Sequence, residues 1–163
     1  MRGTKAILLI IALLLPAAVF VFLKYFGKNQ FDVNPLYQES LGDLAEQCPG
    51  QYSVPYVVSD TVMAQFNLST QPSLTIVAFV QNDSLDMKKQ LSRVDEQFAD
   101  TAVALKWVES DTMKLKDCIF FLRGDSSMVM VDNMRRIRGH YIGSSLKDID
   151  RLIVETKIIL GQY

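Results

Sequence analysis

The chain has 163 residues, a formal net charge of −1 and 49% hydrophobic residues, which suits one folded domain with an additional segment. All 18 acidic residues follow Lys28, against 13 of the 17 basic residues. Because this part of the chain is acidic, we expect no nucleic-acid partner.

The first predicted element is an apolar segment near the N-terminus. Residues 6–23 are 18 consecutive apolar residues, about the length needed to cross a bilayer core of roughly 30 Å. A cleaved signal peptide would end in small residues, whereas bulky residues follow here at 20–26. We therefore predict an uncleaved transmembrane signal anchor in the inner (cytoplasmic) membrane. The short tail, residues 1–5, is placed in the cytoplasm and the following domain in the periplasm, although basic residues flank the span almost equally.

The next segment, residues 24–52, is predicted to be a tether and an irregular lead-in, because proline and glycine interrupt it and its periodicity is poor. Residues 53–58 are compatible with a short edge strand, since Pro55 cannot donate a hydrogen bond to a central ladder. Residues 74–80 form a continuous apolar run that is typical of a buried central strand.

An amphipathic helix is predicted from Asp83 to Phe98, because its apolar residues recur at spacings of four, three and four. A polar connection with a short helical turn follows, and a final helix is predicted to begin at Ser144 or Ser145. The remaining predicted strands are 102–108, 118–122, 127–131 and 136–142, of which the last two form a hairpin.

This order of elements is strand, helix, strand, hairpin and helix. A crossover helix makes the first two strands parallel, while the hairpin adds antiparallel strands. We predict an α/β fold over residues 53–163, with a thioredoxin-like mixed sheet flanked by helices and preceded by the transmembrane helix.

The two cysteines, Cys48 and Cys118, are 70 residues apart and form no CxxC or zinc-binding pattern. In a domain outside the cytoplasm they predict one structural disulfide bond. In a cytoplasmic protein they would be two buried thiols. A third interpretation is a redox-active pair in a thiol–disulfide oxidoreductase.

The C-terminal third also carries a resemblance to a known family. An apolar strand ends in Val131-Asp132, the sequence IRGHYIG follows at 137–143, and DIDRLI lies at 148–153. This run resembles the end of the Sco/SenC family, thioredoxin-fold proteins involved in cytochrome c oxidase assembly, and in particular its membrane-anchored members of the Bacteroidetes type. The resemblance implies an accessory role beside respiratory membrane proteins.

The family's copper site uses a CxxxC motif after the first central strand and a histidine before the strand that ends in Val-Asp. By the resemblance, these ligands should fall between Val80 and Ser84 and around Asp125 and Ser126, where the sequence has no cysteine or histidine. Copper(I) prefers thiolate or thioether ligands, and disulfide exchange needs an accessible thiolate. We therefore predict no catalytic, cofactor-binding or metal-binding residue at this degenerate site.

Two chemical alternatives remain open. A copper chaperone could use a rearranged site built from Met128, Met130, His140 or a cysteine, although methionine ordinarily fills cores. A thiol–disulfide oxidoreductase could use Cys48 and Cys118. His140, the only histidine, is expected to be a surface or edge substitution. The favoured hypothesis is a non-catalytic accessory or binding module without a cofactor, linked to cytochrome c oxidase assembly.

Overall fold

The computed structural model describes residues 2–26, 32–44, 48, 50–65, 67–68, 72–80, 85–109 and 113–162. The chain divides into two compact units, Met1–Asp32 and Val33–Tyr163. The second unit therefore begins inside the segment predicted as a tether and lead-in.

The first unit contains one helix, α1, Arg2–Phe26, with Pro16 inside it. Residues 6–10 and 23 of the predicted anchor lie outside the described side chains. Within the described part of the chain, no helix combines the length and apolar character needed to span a membrane. The anchor at 6–23 stays a prediction.

The second unit is a mixed α/β fold around a four-stranded sheet with the order β2-β1-β3-β4. Strand β2 is parallel to β1, β3 is antiparallel to β1, and β4 is antiparallel to β3. This order and these directions are thioredoxin-like. The elements are α2 Asp60–Gln65, β1 Leu74–Val80, α3 Leu85–Phe98, β2 Val103–Glu109, α4 Met113–Cys118, β3 Met128–Asp132, β4 Ile137–Tyr141 and α5 Leu146–Ile159.

Both faces of the sheet are covered, which explains why β1 is apolar at nearly every position. Val77 and Phe79 pack on the first face with the lead-in, α2 and the segment 119–122. Ile76 and Ala78 pack on the second face with the apolar stripes of α3 and α5. These two cores fix the sheet between an irregular layer and a helical layer.

Most sequence-based elements are confirmed within one or two residues, including β1 at 74–80 and the last helix, which Ser145 caps. Two predicted strands are wrong. Residues 53–58 are irregular. The segment 118–122 is the end of α4 followed by a buried irregular turn, in which Phe121 has a left-handed φ of 53°. The predicted start of α3 at Asp83 lies outside the described residues.

Candidate functional site

One edge of the sheet gathers the two segments that the family resemblance singles out. Because β1 and β4 are both antiparallel to β3, their C-terminal ends lie beside the N-terminal end of β3. The Phe79 N–H donates a hydrogen bond of 2.8 Å to the Ser127 carbonyl oxygen. The end of β1 and the loop before β3 are therefore neighbours, as the resemblance implied.

Where the resemblance expects the copper ligands, the described positions carry no cysteine or histidine. Val80 and Ser126 are half-buried and Asp125 is exposed, while Ser84 lies outside the described residues. The Ser127 hydroxyl accepts the Gly143 N–H at 2.9 Å, which ties the loop to the start of α5. Among the described residues, no cluster of three or more His, Cys, Asp or Glu side chains could hold a metal ion.

The cysteines form the predicted disulfide bond between Cys48 and Cys118. It joins the lead-in to the last residue of α4, and Cys48 is buried. Both sulfur atoms are held in this bond. The structural interpretation predicts this bond, and the oxidised form of a redox-active pair would contain the same bond.

The residues of the alternative copper site lie on opposite faces of the sheet. Met128 and Met130 are fully buried in the helical layer, where the Met130 sulfur accepts a hydrogen bond from the Thr156 hydroxyl at 3.5 Å. His140 pairs in register with Val129, which belongs to the other core. Since neighbouring strand residues point to opposite faces, His140 cannot share one metal ion with the two methionines.

Asp132, the acidic residue of the Val-Asp pair, closes the β3–β4 hairpin. Its buried carboxylate accepts the backbone N–H groups of Met134 and Arg136, each at 2.9 Å. The same carboxylate pairs with the guanidinium groups of Arg136 at 2.8 Å and Arg138 at 3.4 Å. This part of the family motif is therefore a structural network.

Gly139 and Tyr141 form a second structural unit of the motif. A Cβ atom added to Gly139 would lie 2.3 Å from the Tyr141 hydroxyl oxygen, so the ring lies where any side chain would stand. The Tyr141 hydroxyl donates to the Glu155 carboxylate, and the Arg151 guanidinium lies 4.8 Å from the ring centroid. Burial and the Glu155 carboxylate raise the pKa of Tyr141 well above its usual value, so the phenol stays protonated.

The start of α5 is fixed in the same manner. The Ile142 N–H donates to the Asp148 carboxylate at 2.9 Å, and the Ser145 hydroxyl accepts the Asp148 N–H at 3.4 Å. A Cβ atom on Gly143 would meet the Ser127 hydroxyl at 2.9 Å. The residues of this run thus serve helix capping and close packing.

His140 lies on the edge strand β4, as expected, but it is less exposed than a surface substitution would be. Its Nε2 atom is buried and has no hydrogen-bond partner among the described residues. The ring centroid lies 6.0 Å from that of Tyr37 in the lead-in. Burial is the main cause that lowers the pKa of His140 to about 4, and the nearby Arg151 charge adds to the effect. No pattern in the sequence indicated this environment.

The sequence analysis also missed an apolar rim around the same edge of the sheet. The rim consists of Leu85 at the start of α3, Trp107 near the end of β2 and Leu146 at the start of α5. Their exposed fractions are 81%, 51% and 56%. A contiguous patch of such side chains would be typical of a protein-binding surface, whereas single exposed apolar side chains are common.

No known protein family matches the sequence, and no curated protein matches it. A solved structure of Trxlp from Edwardsiella tarda EIB202 is similar at 19% identity and a TM-score of 0.42. The similarity covers 59% of this chain and 91% of that protein. These values carry no argument about function, and the thioredoxin-like fold is assigned from strand order and direction.

Proposed function

We propose that this chain is a membrane-anchored, thioredoxin-like binding module that works without copper or thiol chemistry. One observation carries the proposal. At the edge where the resemblance places the ligands of the Sco/SenC family, the described side chains are Val80, Asp125 and Ser126, while both cysteines are joined elsewhere. In this proposal the chain shares the thioredoxin-like fold of the Sco/SenC family but lacks the cysteine and histidine ligands of its copper site.

The membrane location is part of the proposal and is supported by the apolar run at 6–23. In this proposal the helix holds the protein in the inner membrane and the domain faces the periplasm, where a disulfide bond is stable. The resemblance to the Sco/SenC family supports a role beside respiratory membrane proteins, namely as an accessory factor in cytochrome c oxidase assembly.

The apolar rim gives the proposed binding module a contact surface. Leu85, Trp107 and Leu146 lie around the edge that would hold the metal in a copper-binding relative. Burial of such side chains against a protein partner contributes roughly 25 cal/mol per Å² of apolar area. Aromatic and large aliphatic side chains are also the residues that dominate binding energy at interfaces.

The absence of copper chemistry is tested by titrating the full-length protein in detergent with copper(I) against a competing chelator, before and after reduction. We expect no stoichiometric binding in either state. Tight binding only after reduction would favour a site that includes Cys48 and Cys118. Tight binding in both states would favour a rearranged methionine or histidine site, and either result would refute the proposal.

The binding role is tested by crosslinking in membranes from cells that express the protein and assemble cytochrome c oxidase. Trp107→Ser and Leu85→Ser are expected to reduce both crosslinks to oxidase subunits and assembled oxidase. Val154→Ser is the matched control, because Val154 is 40% exposed in the middle of α5. Unchanged assembly after complete removal of the protein would count against this role.

A further inference from the structure

Part of the lead-in lies along the outer edge of β4. We call residues 33–41 the latch segment. The Leu36 N–H donates to the Ile137 carbonyl oxygen at 2.7 Å, and the Tyr37 carbonyl oxygen accepts the Tyr56 N–H at 3.0 Å. The latch segment thus covers the strand edge that would otherwise be open to another chain.

The contact is made under backbone strain on both sides. Tyr37 in the latch segment has a φ of 59°, and Phe121 in the facing loop has a φ of 53°. Left-handed conformations are unfavourable for residues with bulky side chains. The rings of Tyr37 and Phe121 pack with their centroids 5.2 Å apart. This contact offsets the backbone strain of both residues, and it is lost when the latch segment undocks.

His140 is another ring that packs against Tyr37, beside Phe121. Its ring is 6.0 Å from the Tyr37 ring, and its Nε2 atom is buried without a partner among the described residues. The Phe120 backbone partly offsets the lowering of the His140 pKa. Because Nε2 is buried and unpartnered among the described residues, the neutral imidazole that carries no proton on Nε2 is the form that fits.

The charged groups on the elements around the ring oppose a proton on Nε2. From α5, the Arg151 guanidinium donates to the His140 carbonyl oxygen at 2.6 Å. From the loop after α4, Arg123 acts electrostatically on Tyr37, whose phenol is neutral near pH 7. The latch segment also carries one carboxylate, Glu39, whose side chain is exposed to water. On β3, the residue opposite is the apolar Val129. Protonation would therefore place a second cation near Arg151, without a hydrogen-bond partner for Nε2 among the described residues.

We propose that the latch segment is a proton-operated latch, in which protonation of His140 releases Tyr37 and uncovers the outer edge of β4. The proposal rests on the packing, the bare nitrogen and the two strained residues, and it is independent of the proposed function. In the docked state the histidine binds a proton only near pH 4, whereas a solvated histidine does so near pH 6.5. The docking equilibrium is therefore fully favourable above about pH 6.5 and weakens as the pH falls towards 4, by about thirtyfold between pH 7.5 and 5.0.

The first test is a proton NMR titration of the imidazole in the full-length protein in detergent. Because the chain has a single histidine, its ring signals need no assignment by mutation. We expect a pKa clearly below 5.5. A pKa near 6.5 would mean that the docked ring accepts a proton freely, and the proposal would be wrong.

The second test is amide hydrogen exchange at pH 7.5 and 5.0, corrected for the intrinsic rates. The protection of the Leu36 amide should fall about thirtyfold at the lower pH, and at both pH values it should stay well below that of Val77 in the central strand, because the latch segment opens without the sheet. In His140→Phe, which keeps an aromatic ring but cannot be protonated, this pH dependence of Leu36 protection should be lost. The same pH effect in this variant, or equal protection of Leu36 and Val77 in the wild type, would overturn the proposal. If the variant does not fold, the comparison of Leu36 with Val77 in the wild type decides the question.

Discussion

The replacement Asp132→Asn gives the sharpest test of the structural interpretation of the C-terminal motif. The side chain of Asp132 is 5% exposed, and that of its partner Arg138 is 9% exposed. Asparagine has nearly the same shape and can still accept a backbone N–H through its amide oxygen. The change therefore removes mainly the negative charge that faces two guanidinium groups.

The expected cost follows from the burial of each partner. Removing one member of a buried ion pair costs about 3–5 kcal/mol, because the remaining charge stays in a poorly solvated position. The side chain of Arg138 is buried to this degree but has a further interaction besides Asp132, so the lower end of this range applies. Arg136, whose side chain is 31% exposed, can be solvated after the change, so its contribution is about 1 kcal/mol or less. We expect Asp132→Asn to lower the free energy of unfolding by about 3 kcal/mol.

The assay is urea denaturation of the full-length protein in a mild detergent, followed by far-ultraviolet circular dichroism. Asp150→Asn is the matched control, because Asp150 pairs with Arg93 at 2.8 Å while both side chains are well exposed. That control should cost less than about 1 kcal/mol. Equal losses of unfolding free energy for Asp132→Asn and Asp150→Asn would refute the argument that burial makes the Asp132 pair more costly to remove. Additivity of Asp132→Asn with Arg138→Met would also refute it, since a true pair must show coupling.

Three further outcomes are expected with the same assay. Replacing Cys48 and Cys118 by serine should lower the free energy of unfolding by about 4 kcal/mol, because the disulfide spans 70 residues; no change would contradict a structural role. Gly139→Ala should lower the free energy of unfolding by about 2 kcal/mol or more, since the new methyl group displaces the Tyr141 ring. The effect should be smaller in a protein that already carries Tyr141→Ala. An undiminished effect there would mean that the strain does not come from the Tyr141 ring. Between pH 7.5 and 5.0 the free energy of unfolding of the wild type should fall by about 2 kcal/mol more than that of His140→Phe. The reason is that the unfolded chain binds a proton near pH 6.5, whereas the folded chain binds it only near pH 4. Parallel pH profiles of the two proteins would contradict this last expectation.

The sheet was predictable because its strands carry strong local signals. The run at 74–80 is apolar at nearly every position, which is the pattern of a strand covered on both faces. The segment 118–122 is equally apolar but is not a strand. Its Phe121 adopts a left-handed conformation that brings the ring against Tyr37 and Tyr56, and a contact between residues so distant in sequence leaves no local signal.

The site was predictable only in part, because a motif does not reveal which of its residues react. The spacing of Asp132, Arg138, Gly139 and Tyr141 was sufficient to indicate a family resemblance. That Asp132 and Arg138 pair in the hairpin, and that Gly139 leaves room for the Tyr141 ring, depends on tertiary contacts that the spacing does not encode. The environment of His140 could not be predicted, since it depends on a latch segment that lies about a hundred residues earlier in the chain.

The disulfide bond would have a mechanical consequence in the proposed arrangement, in which an N-terminal anchor holds the domain. A pulling force applied at Val33 would first peel the latch segment from β4 by breaking the Leu36 hydrogen bond. Unravelling would then stop at Cys48, because the covalent bond transfers the load to the end of α4. The chain up to that point can extend by about 50 Å, so the cross-link limits how far the tether can lengthen before the load reaches the end of α4.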